Sequence, residues 1–137
     1  MIFGIGIDIA KVSRFEKWVR NSDMIYRFFN ECEILEIEGE TDDEKNKNRE
    51  KKMAFLCEHY ASRFAAKEAL SKALGTGFVG LSLSDFGIKK NENGKPEFLF
   101  GEKTTRILEE KCGKNANVQL SISHEKEFAI AFVIIES

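Results

Sequence analysis

The sequence predicts an α+β domain in which a mostly antiparallel sheet packs against one long helix. Three stretches carry that expectation. Residues 2–9, IFGIGIDI, alternate Ile5, Ile7 and Ile9 with Gly or Asp, the period of two of a strand with one buried face. Residues 53–74 hold neither Pro nor Gly and set Phe55, Leu56, Tyr60, Phe64 and Leu70 among alanines at helical spacing. The region around Asn93-Gly94 and the last stretch, VQLSISHEKEFAIAFVII, read as strands joined by turns.

Taken in order, the first strand sets its isoleucines toward the core and Asp8 on the opposite face. Ser13 and Glu16 have the spacing of a capping box, so a short amphipathic helix is expected from near Ser13, burying Val12, Phe15, Trp18 and Val19. Its other face carries Lys11, Arg14, Lys17 and Arg20. Residues 38–52, EGETDDEKNKNREKK, are too polar to offset the entropy of ordering and read as a mobile loop or frayed helix start inside one domain spanning 1–137. The long helix then runs to Leu74, with Gly75 as its C-cap and Gly77 and Gly80 loosening the exit. Two strands follow around Asn93-Gly94, Pro96 opening the returning one. A helix over 101–112 carries Ile107 and Leu108, and two final strands meet at a Ser-His-Glu bend.

Composition narrows the function. The 137 residues suffice for one domain with a core of its own, and 21 basic against 23 acidic side chains give a net charge of −2, no global field for nucleic acid or an anionic membrane. Cys32, Cys57 and Cys112 are odd in number and never paired as C-x-x-C, which points away from disulfides or zinc and toward a reduced, cytoplasmic setting. No apolar run approaches the roughly 20 residues that span a bilayer.

The chemistry-bearing residues gather in few places. Glu68 follows Ala61, Phe64 and Ala65 on the apolar stripe of the long helix, where a carboxylate needs a partner. That partner is either Lys72 at i+4 or a cation shared with Asp8, since two carboxylates plus phosphate oxygens is the usual magnesium arrangement. Lys67, Lys72 and the Gly75-Thr76-Gly77 turn offer charge and amides to an anion, although the glycines also serve as a cap at the unfavourable end of a helix dipole. His59 is read as structural, whereas His124 sits at a bend where its ring can meet a ligand. A serine-hydrolase reading of Ser121, Ser123 and His124 fails for want of a G-x-S-x-G elbow. The basic row is either a solvated face or a dock for an acidic helix.

Three blocks, GIGIDIAKVSRF at 4–15, RFAAKEALSKALGTG at 63–77 and SISHEKEFAIAFVI at 121–134, together resemble the holo-acyl-carrier-protein synthases, the short-chain branch of the 4'-phosphopantetheinyl transferases. The resemblance implies that fold, and transfer of the phosphopantetheine arm of coenzyme A to a serine of apo-acyl carrier protein with release of adenosine 3',5'-bisphosphate. It implies Mg2+ held by Asp8 and Glu68, and Lys72 beside the reacting pyrophosphate. Arg63, Lys67, Gly75, Thr76, Gly77 and His124 are expected around coenzyme A, and Arg14 against the acidic helix of the carrier. Relatives of this size form homotrimers with sites between subunits. The serine proton passes either to Lys72 or to water at the metal. Segment 38–52 has no counterpart in the family pattern, and a non-catalytic binder of coenzyme A or a nucleotide is the alternative reading.

Overall fold

The computed structural model describes residues 1–35 and 45–137. Its larger sheet has three antiparallel strands in the order β1–β5–β4, where β1 is Ile2–Lys11, β4 Asn117–His124 and β5 Phe128–Glu136. A second sheet is the hairpin of β2 (Phe86–Lys90) and β3 (Pro96–Phe100). Between β1 and β2 the chain forms a 3-10 turn over Val12–Phe15, then helices α1 (Glu16–Val19), α2 (Ser22–Phe28) and α3 (Lys45–Leu74). Helix α4 (Glu102–Cys112) links β3 to β4. Among the described residues no helix is long and apolar enough to cross a membrane.

The expected α+β architecture is present, with one correction of side. Ile5, Ile7 and Ile9 are 59%, 60% and 59% exposed, whereas Gly6 and Ala10 on the alternate face are buried beneath α3. A Cβ on Gly6 would collide with the carbonyl oxygen of Ala69, and one on Gly4 with that of Ala73. Strand and helix therefore touch backbone to backbone, which only glycine permits. Alanine completes the seam: Ala61, Ala65, Ala66, Ala69 and Ala73 of α3 and Ala129 and Ala131 of β5 are all buried. Larger side chains fill the flanks, among them Phe15, Phe29, Leu70, Phe86 and Ile135, and each buried Phe, Leu or Ile contributes about 1.5–3 kcal/mol.

The Ser13–Glu16 capping box does not form: the turn after β1 starts at Val12 and no side chain caps it. Val12 N–H instead donates to the carbonyl of Glu127 at 2.8 Å, tying the turn to the β4–β5 bend. Helix α2 adds to the elements the sequence predicts, and Asn21 caps it by accepting from Asp23 N–H at 3.1 Å. Helix α3 begins at Lys45, ahead of the expected Met53, so residues 45–52 of the polar segment are helical; residues 38–44 lie outside the described residues. The β2–β3 hairpin turns through an Asx loop, Asn91 Oδ1 accepting from the N–H groups of Asn93 and Lys95, with Gly94 at φ 81°.

Candidate active site

Two elements distant in sequence build the site. β1 carries Asp8 on its α3-facing side, and α3 carries Glu68 and, one turn later, Lys72. Lys72 Nζ lies 3.1 Å from Asp8 Oδ1 and donates to the carbonyl of Ile7 at 3.0 Å. Its side chain is 52% exposed and that of Asp8 17%, so the pair sits at the surface of the seam. The i+4 bridge from Glu68 to Lys72 is not made, because Lys72 has crossed to β1. Glu68 is half-buried, and among the described residues its carboxylate accepts no hydrogen bond. Burial pushes its pKa up, the charge of Asp8 adds to the rise, and Lys72 and then Arg14 pull it back. Two like charges and two cations thus share one electrostatic neighbourhood.

Arg14 is positioned by aromatic rings. Its guanidinium carbon lies 5.4 Å from the ring centre of Phe64, 5.7 Å from Phe15 and 5.9 Å from Trp18, the geometry of cation–π attraction. These rings interlock, Trp18 packing 5.1 Å from Phe64 and 5.0 Å from Phe28.

The donor chemistry fits a hard divalent cation. Asp8 and Glu68 supply two carboxylates, one of them without a hydrogen-bond donor, and no cluster of three or more His, Cys, Asp or Glu exists among the described residues. Two protein carboxylates leave most of a magnesium ion's oxygen positions to water and phosphate.

The sequence matches the 4'-phosphopantetheinyl transferase superfamily over residues 4–133. The chain belongs to this superfamily. Among related transferases, the holo-(acyl-carrier-protein) synthase of Treponema denticola is 42% identical over 137 residues, covering 99% of both chains. The synthase of Bacillus anthracis, solved in complex with CoA (3',5'-ADP), superposes with a TM-score of 0.71 at 36% identity, covering 100% of this chain and 98% of that one. That of Neisseria meningitidis gives 0.74 at 32% identity, with full coverage of both.

The other expected site residues of this transferase divide. Gly75 caps α3, its N–H bonded to the carbonyls of Ser71 and Lys72 at 3.1 Å each, and φ values of 79° at Gly75 and 58° at Gly77 explain the glycines flanking Thr76. The turn follows directly on Lys72. Arg63 is half-buried one turn before Lys67, its Nη1 donating to Ser62 Oγ at 3.1 Å and its Nε left without a partner. His124 ends β4, exposed, two strands across from β1 and joined to neither carboxylate.

Lys67 is corrected as a coenzyme A contact, because none of its donors is free. The side chain is fully buried, with Nζ 2.7 Å from Glu33 Oε1, 2.7 Å from the carbonyl of Leu83 and 2.6 Å from that of Phe86. Burial pushes the Glu33 carboxyl up and the Lys67 ammonium down, while each holds the other toward its charged form. Glu33 was absent from the sequence-derived site. The signal available was Lys67 itself, a charge enclosed by Ala65, Ala66, Ala69 and Leu70, which demands a buried counter-ion.

Proposed function

We propose that this transferase moves the 4'-phosphopantetheine arm of coenzyme A onto a serine hydroxyl of an apo-acyl carrier protein and releases adenosine 3',5'-bisphosphate. The observation that carries the reading is the placing of Asp8 of β1 and Glu68 of α3 in one electrostatic neighbourhood, with Lys72 bonded to Asp8, in a chain that matches holo-acyl-carrier-protein synthases over nearly its full length.

Asp8 and Glu68 are the residues that would hold Mg2+, and the bound ion supplies neutralisation of the diphosphate's charge. The chain's own groups do the rest. The serine oxygen forms its bond to the β-phosphorus of coenzyme A, its proton passing to water, as the bond to the bridging oxygen breaks, so negative charge grows on the departing bisphosphate. Lys72, already at the mouth of the site, exchanges Asp8 for that growing charge. The Gly75–Gly77 amides and Thr76, which continue from Lys72, line the path of the bound coenzyme, with Arg63 contributing a further donor. Arg14, stacked on Phe64 and Trp18, presents a preset cation to the acidic helix of the carrier and guides its serine to the diphosphate.

The working form is a homotrimer. Ile5, Ile7 and Ile9 pair in register with Ile134, Phe132 and Ile130, giving an apolar sheet face open in the single chain. His124, on the far edge strand, then serves the site of a neighbouring copy. A cytoplasmic setting agrees with three unpaired cysteines.

The test incubates apo-acyl carrier protein, coenzyme A and Mg2+ with this protein and follows the carrier by intact-mass spectrometry. A gain of one phosphopantetheine arm is expected. Binding of coenzyme A without that gain, on a carrier competent with another synthase, leaves a non-catalytic binder.

A further inference from the structure

Glu33 lies outside the site, yet it is fully buried and is the anchor against which α3 is set. Its Oε1 accepts from the backbone N–H of Asn30 at 3.0 Å as well as from Lys67. Lys67 spends its remaining donors on the carbonyls of Leu83 and Phe86, at the entrance to β2. Three successive residues of α3 therefore go to three places. Lys67 enters the Glu33 socket, Glu68 lies within electrostatic range of Asp8, and Ala69 rests its carbonyl on Gly6 of β1. Each step along the helix turns it by about 100°, so a socket on one side and a backbone contact on the other leave no free rotation about the axis at Glu68.

We propose that Glu33 is a positioning residue for the transfer reaction: by gripping Lys67 it fixes the rotation and height of α3 at which Glu68 meets Asp8 across the metal and diphosphate. The inference rests on the reading of Asp8 and Glu68 as the metal pair. An ionic socket suits this task because its bonds are directional in a way that an apolar contact is not. Stability alone gives no reason for it, since apolar residues of similar volume commonly replace a buried pair without loss.

The experiment compares the unchanged protein, E33Q, the apolar double variant E33L/K67M and D8N. Each is checked by thermal unfolding, then assayed for Mn2+ binding in the presence of coenzyme A by electron paramagnetic resonance and for kcat and KM. The double variant refills the socket, so it decides the matter even if E33Q does not fold. The double variant is expected to melt below the unchanged protein, because the carbonyls of Leu83 and Phe86 and the Asn30 N–H lose their partners, yet to be folded at the assay temperature and to bind Mn2+ about tenfold more weakly. Its kcat is expected to fall about 10- to 100-fold while KM for coenzyme A changes less than about twofold. Unchanged Mn2+ affinity and kcat in the folded double variant would overturn the positioning role. If D8N binds Mn2+ as tightly as the unchanged protein, the metal-pair reading falls first; if D8N loses Mn2+ while the double variant keeps it, only the role of Glu33 falls.

Discussion

Glu68 stands where a carboxylate is costly to keep. Burial first, and the charge of Asp8 second, raise its pKa above the ordinary glutamate value. Between the unfolded and the raised folded pKa the native chain binds more protons than the unfolded one, so stability falls as pH rises through that window and stays lower above it. Glu68→Gln removes this loss along with the proposed metal ligand. Its melting midpoint in the metal-free state at pH 7.5 is expected at or above that of the unchanged protein, while kcat falls about 10²- to 10³-fold. A clear drop in midpoint would mean that Glu68 stabilises the fold instead. His59 works in the opposite direction on the same helix. Its ring Nε2 bonds the carbonyl of Glu33 at 2.6 Å, and burial, aided by Arg63, lowers its pKa from 6.5 to about 4. Here the unfolded chain takes the proton first on acidification, so the stability present above pH 6.5 is lost as pH falls toward 4. Urea unfolding should show about 2 kcal/mol less stability at pH 5 than at pH 7.5 from this group, a difference that His59→Gln removes.

At the scale of elements, the α3–β1 seam is the contact that makes the site, and Gly6 is its narrowest point. Gly6→Ala forces the Ala69 carbonyl away and is expected to cost about 1–3 kcal/mol, as overpacking does. Because Ala69 follows Glu68, kcat should fall by more than the unfolded fraction measured by circular dichroism accounts for. Helix α4 shows a remote cap that leaves the site alone. Asp85 Oδ2 accepts from Thr104 N–H and from its hydroxyl, each at 2.7 Å, while the N-cap residue itself is Gly101. Partial burial pulls the Asp85 pKa up, but these bonds outweigh it and leave the carboxyl below its usual range. Asp85→Ala should cost about 1 kcal/mol in chemical unfolding and leave turnover per folded molecule unchanged. Much of this was legible in the sequence. The period of β1, the alanine-rich helix, the Asn91–Lys95 hairpin region and the three motif blocks hold all the pattern that periodicity and spacing can express. Which face of β1 meets the core was not legible, because alternation gives two faces and only the glycine–helix contact chooses between them. The Glu33–Lys67 socket escaped for a related reason: it joins residues whose proximity exists only after α3 has docked. The Ser13 box had the right residues, yet Val12 was already committed to Glu127 across the sheet.

For the whole molecule, the unexpected side of β1 becomes the main consequence. Ile5, Ile7 and Ile9, at 59–60% exposure, lie beside Ile130 and Phe132 at 40% and 38%, a continuous apolar surface on an otherwise well-packed chain. Contiguous apolar patches of this kind mark interfaces, and three copies meeting through such faces would bring the His124 end of one sheet to the Asp8–Glu68 seam of the next. Sedimentation of the unchanged protein should give a trimer. Ile7→Glu with Phe132→Glu should give a folded monomer, because neither side chain contributes to the single-chain core. A sharper consequence concerns where the site resides. If His124 acts on a neighbour's coenzyme, a chain lacking His124 and a chain lacking Glu68 carry complementary defects. Co-expressed in equal amounts, His124→Ala and Glu68→Gln chains assemble at random, and about a quarter of the interfaces then join an intact Glu68 to an intact His124. Activity well above that of either homotrimer, toward a quarter of the unchanged value, is the expected result. Failure to recover any activity in mixed trimers of verified composition would place each complete site within one copy and return His124 to the surface of β4.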